Sequence, residues 1–97
     1  MNLVWTRSAR EDRREIFDFI DADSSSAACK MDSLFSEKAA LLTSFPEMGR
    51  SGRVSGTREF LVHRHYFLIY RIREKTVEIL RVLHTSKQWP QSPPTSR

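Results

Sequence analysis

Apolar residues recur along this chain with two different periods, and the change comes at Pro46. Before it the period is helical. Ile16, Phe17, Phe19 and Ile20 are interleaved with Arg13, Arg14, Glu15 and Asp18, the pattern of a helix that buries one stripe. Ser8 and Glu11 have the spacing of a capping box, which predicts a helix start at Ser8 and a run to about Asp21. Asp23 and the serines at 24–26 form a short connection able to cap a second helix. In that helix Ala28, Met31, Leu34, Phe35, Leu41, Leu42 and Phe45 return at three- and four-residue steps. Pro46 ends it, because proline lacks an amide donor and pushes the residue before it out of helical angles. Two amphipathic helices joined this tightly make an antiparallel hairpin.

After Pro46 the pattern is that of strands. Gly49, Gly52 and Gly56 mark Met48 to Gly56 as a loop. Residues 57–62, 66–72 and 76–83 are rich in β-branched and aromatic side chains and are separated by His63-Arg64-His65 and Arg73-Glu74-Lys75. A further strand is predicted over Leu3, Val4 and Trp5. The order is therefore β-α-α-β-β-β, an α+β fold with a two-helix hairpin on a small, mainly antiparallel sheet. A two-residue turn at Glu74-Lys75 sets Arg71 opposite Glu78 and Tyr70 opposite Ile79, on opposite faces of the sheet. Carried further, that register puts Tyr66, Tyr70 and Arg81 on one face. The helices can cover only one face of so small a sheet, so the other face or its rim is the expected working surface.

Charge is divided along the same boundary. Residues 1–47 hold six Lys/Arg against nine Asp/Glu, whereas residues 48–97 hold ten against three, so the formal +4 conceals a polarised molecule. A sheet edge bearing Arg50, Arg53, Arg58, Arg64, Arg71, Arg73, Arg81 and Lys87 suits an anionic partner, either a nucleic acid or an acidic protein segment. Taken as solvated surface charges, Arg50, Arg53 and Arg58 are expected to be replaceable by alanine at little cost in stability. With 97 residues the chain supports one domain, expected over 1–90, and the Pro- and Ser-rich 91–97 reads as a disordered tail. The single Cys29 has no disulfide partner, the N-terminus lacks the apolar core of a secretory signal, and no apolar run approaches the ~20 residues that span a bilayer. A cytoplasmic protein that does not enter membranes is expected. No nucleotide-binding or zinc-protease motif is present, and His63, His65 and His84 match no standard ligand spacing, so neither a cofactor nor a metal is expected.

Three stretches taken in order carry a family resemblance: P-E-M-G-R-S-G-R-V-S-G-T-R-E at 46–59, Y-x-x-x-Y-R at 66–71 and V-x-I-L-R-V-L-H-x-x-x-Q-W-P at 77–90. With the element order, they make residues 3 to 90 resemble the RelE/ParE superfamily of small bacterial toxins. The resemblance implies a growth inhibitor neutralised by a cognate antitoxin protein, with which it forms a hetero-oligomer. It leaves two targets open. ParE-like members are taken to inhibit DNA gyrase, whereas RelE-like members are metal-independent endoribonucleases that cut ribosome-bound mRNA. In the second case His84, Arg81 and Lys87 are the expected catalytic set, supplying an acid or base and cations for the phosphorane charge. In either case Arg50, Arg53, Arg58, Arg64, Arg71 and Trp89 are the expected target- or antitoxin-binding residues. The nuclease members usually place a tyrosine or histidine after the last strand, but here the run is Ser86-Lys87-Gln88-Trp89, which favours the gyrase branch. A third reading is a binding module without toxicity, which would stack bases on Tyr66 and Tyr70.

Overall fold

The computed structural model describes residues 1–87 and 89. The tail expected over 91–97 lies outside the described residues. Strand β1 (Asn2–Trp5) leads into helices α1 (Arg7–Asp21) and α2 (Ser25–Ser44). Four strands follow: β2 (Arg50–Ser51), β3 (Arg58–His63), β4 (Tyr66–Arg73) and β5 (Thr76–His84). The sheet order is β1-β5-β4-β3-β2, with β1 parallel to β5 and every other pair antiparallel. The helical hairpin closes one face of it. Ala9, Phe35, Ala39 and Leu42 from the helices pack with Tyr66, Leu68, Tyr70, Val77, Ile79 and Val82 from the sheet. Among the described residues no helix is long and apolar enough to cross a membrane.

Several local expectations are corrected by the structure. The cap of α1 is Thr6, not Ser8: its hydroxyl accepts the Ala9 amide at 3.2 Å and donates to the Ile79 carbonyl at 2.8 Å. A cap that also ties the helix to β5 does two things, and the second is long-range and invisible in local spacing. The loop at 48–56 contains a strand, because Arg50 and Ser51 pair with Glu59 and Arg58. The predicted turn is present, with Glu74 and Lys75 both in the left-handed region (φ 51° and 62°). Arg71 lies opposite Glu78 and Tyr70 opposite Ile79, as that turn requires. Beyond this point the register slips by one residue, so that Ile69 lies opposite Arg81 and the bulge falls at Leu80. Arg81 therefore does not share a face with Tyr66 and Tyr70. Both tyrosines are buried under the helices, and no aromatic platform for stacking bases is offered there.

The second face is not wholly free either. Phe67, Ile69 and Leu83 form a small apolar cluster against which Leu80 and Trp89 pack. Trp89 closes a core, as tryptophans near the ends of small domains commonly do.

Candidate functional site

Two surfaces collect the residues singled out by sequence. The first is a groove of about 590 Å³ between α1 and the far end of β5. It exists because β1 stops at Trp5, opposite Ile79, and leaves the side of β5 away from β4 without a strand beyond that point. Asp12 of α1 takes the missing neighbour's role. Its carboxylate accepts the Val82 amide at 2.9 Å and both Nε (2.7 Å) and Nη2 (3.0 Å) of Arg81. A bidentate, charge-assisted pair of this kind is among the strongest side-chain contacts available. It raises the Arg81 pKa above its ordinary value, chiefly through the Asp12 hydrogen bond. Arg81, His84 and Lys87 all line this groove, so the three candidates do converge. Asp12 and Glu15 face them across it, and Ile16 and the exposed Phe19 supply an apolar wall. Sequence reasoning missed Asp12, because its only signal was a place on the polar side of α1.

His84 is engaged as well. Its Nδ1 accepts the Ser86 amide at 3.0 Å, its ring stacks on His65 with centroids 5.5 Å apart, and Tyr66 meets it edge-on at 5.3 Å. His63 sits on the other side of His65, also at 5.5 Å. The three histidines thus form a column, with rings beside one another and not converging on a point. Among the described residues no group of three or more His, Cys, Asp or Glu side chains is placed to hold a metal ion. His65 is held below its ordinary 6.5, first by desolvation against its neighbours, then by the charges of Arg64, His63 and His84. A histidine that resists protonation in the folded state contributes stability that is fully present above its unfolded pKa and lost as pH falls through its lowered folded pKa. Below about pH 6.5 the unfolded chain takes up a proton at His65 before the folded one does, so the urea midpoint is expected to fall there, and His65→Gln should remove that share of the dependence.

The second surface is the loop 46–57 and the sheet rim beside it. Tyr70, reaching from β4 through the core, donates its hydroxyl proton to the Pro46 carbonyl (2.6 Å) and accepts the Gly49 amide (2.9 Å). Gly49 is required there, since a Cβ would lie 2.7 Å from the Tyr70 hydroxyl and 2.9 Å from the Glu59 carbonyl oxygen. Glu59 is 5% exposed, the single charged residue in the described core. Arg50 Nη2 reaches it at 3.2 Å, the Arg53 amide at 3.3 Å and the Arg53 guanidinium at 3.8 Å. Arg58 donates instead to the carbonyls of Gly49 (2.7 Å) and Glu47 (3.3 Å). The three arginines are therefore part of how the loop is held, which corrects the expectation that they are structurally free. Removing their side chains strips a buried carboxylate of its cations and the loop of a donor.

The remaining candidates are dispersed. Arg71 pairs with Glu78, whose pKa is held low chiefly by that hydrogen bond, at the end of the sheet where the β4–β5 turn lies. Arg64 is exposed in the β3–β4 turn at the other end. Trp89 joins the two surfaces: its carbonyl lies 3.5 Å from Arg53 Nη1 and its ring 5.9 Å from the Arg81 guanidinium.

Comparison with known proteins adds the following. The family model described as ParE toxin of type II toxin-antitoxin system, parDE, matches residues 3–89. The protein named "Putative toxin Y4kP" of Sinorhizobium fredii is 38% identical over 90 residues, covering 92% of this chain and 93% of its own. The solved structure titled chromosomal ParDE TA system from P. aeruginosa superposes with a TM-score of 0.76 at 27% identity, over 87% of this chain and 95% of that one. A YoeB/ParE toxin from Agrobacterium tumefaciens shares the fold, with a TM-score of 0.62 at 17% identity over 87% and 98% of the two chains.

Proposed function

The chain belongs to the ParE toxin family of type II toxin-antitoxin systems, and from that premise we propose that it arrests bacterial growth in the cytoplasm by inhibiting DNA gyrase and is neutralised by a cognate antitoxin. The observation that carries the choice of target is the state of Arg81. Cleavage of mRNA needs a cation free to meet the charge that develops on phosphorus. Here Arg81 is committed to Asp12 through two hydrogen bonds and is only 27% exposed. Among the groove's lining residues Asp12 and Glu15 offset Arg81 and Lys87, so it presents no net positive charge to draw in a phosphodiester. His84 and Lys87 are left with no free arginine beside them in the groove. Inhibition by binding makes no such demand, because it needs a rigid surface rather than a poised acid and base.

The test is induction in a sensitive bacterium. Growth arrest with filamentation and DNA-damage signalling is expected, and co-expression of the protein encoded by the adjacent reading frame should restore growth. If translation stops first, without filamentation, the gyrase reading fails. Harmlessness at high soluble levels removes the toxin reading for this copy.

A further inference from the structure

The sheet has an unfinished edge. Strand β2 is two residues long and β3 is six, so pairing stops at Glu59 while β3 runs on to His63. Alternate residues of an antiparallel strand bond to alternate sides. The Gly52 amide donates to the Thr57 carbonyl at 2.8 Å, which makes Thr57 and then Glu59 the residues bonded toward β2. Leu61 is next in that series, and its N–H and C=O face the side on which β2 has already ended. Folded proteins usually blunt such an edge with lysine, proline or a covering segment. Here the edge residue is a leucine, 60% exposed, beside Met48 at 45%. The two side chains, with Phe60 and Phe67, line a pocket of about 360 Å³. Arg50 and Arg53, with side chains 77% and 53% exposed, stand at its rim.

We infer that the β3 edge at Leu61 takes up one strand of an extended partner segment that alternates apolar and acidic side chains. The backbone offers a donor and an acceptor, Leu61, Met48 and Phe67 receive the apolar side chains, and the arginines receive the carboxylates. A second copy of this chain fits less well. Pairing β3 with itself would bring the Arg50, Arg53 and Arg64 of two molecules together, with Glu47 and Glu59 the carboxylates at hand on each. The surface stands on this geometry, and its assignment to the antitoxin's neutralising segment rests on the toxin reading above.

The probe is a synthetic octapeptide alternating valine and glutamate, with a valine-lysine peptide as control, added to the full-length protein and followed by amide exchange and fluorescence anisotropy. The Val-Glu peptide should protect the Leu61 amide, and Leu61→Pro should weaken binding about tenfold, since it removes only the outward-facing N–H. Leu61→Glu, which leaves the backbone donor in place but removes the apolar contact and repels the peptide's carboxylates, should also weaken binding, and it serves if the proline variant does not fold. No protection of Leu61 at about 1 mM peptide overturns the inference, as does equal binding of the valine-lysine peptide. Protection of Leu61 by concentrating the protein alone would make the occupant a second copy and overturn it too. Peptide binding to a protein that is harmless in cells would uphold the surface while removing the toxin reading.

Discussion

Asp12→Ala is expected to lower the unfolding free energy by about 3 kcal/mol, near the low end of what breaking a buried ion pair costs, because Arg81 keeps about a quarter of its exposure. The loss has two sources. Arg81 is left without a counter-charge, and the Val82 amide loses its acceptor on the side of β5 that β1 no longer covers. Arg81→Ala should cost less, because Asp12 still accepts from Val82 and lies closer to water once the guanidinium is gone. Urea unfolding of the two single variants and the double variant closes the cycle. A coupling below about 0.5 kcal/mol would show that Asp12 is not the clamp the geometry describes.

Tyr70→Phe is the second large effect, expected at about 2 kcal/mol for one missing oxygen. The phenol ties β4 to the loop at two points, and deleting its oxygen orphans the Pro46 carbonyl and the Gly49 amide together. Gly49→Ala attacks the same joint from the other side, since its Cβ must displace either the Tyr70 ring or the Glu59 backbone. Both variants should raise amide exchange across 46–57 while leaving β4 and β5 protected. Unchanged loop exchange in Tyr70→Phe would place the hold on the loop elsewhere, in Arg58 and the Glu59 pairs.

The fold was largely legible because the cues were local and repeated. Helical periodicity up to Phe45, the stop at Pro46 and the Glu74-Lys75 turn fix the hairpin, the change of period and the first half of the β4–β5 register. The misses share one physical cause, which is contact over long sequence separation. Thr6 outranks Ser8 as a cap because it also bonds Ile79, and the bulge at Leu80 has no signature in a run of apolar residues. The site was legible in part. His84, Arg81 and Lys87 do meet in one groove, but the carboxylate that engages Arg81 there is Asp12, 69 residues away. Likewise Arg50, Arg53 and Arg58 looked like free charge until Glu59 and the carbonyls of Glu47 and Gly49 appeared beneath them.

We propose that this toxin acts by occupying gyrase and not by cutting RNA. The direct measurement takes purified protein into two reactions side by side: supercoiling of relaxed plasmid by DNA gyrase, and cleavage of mRNA on programmed ribosomes. Supercoiling should be lost at stoichiometric toxin, unchanged by a His84→Ala variant that stays folded, and the mRNA should remain intact. Intact supercoiling with A-site cleavage that falls on the order of 10²-fold in His84→Ala or Arg81→Ala, without unfolding, would contradict the account and make the groove a nuclease site.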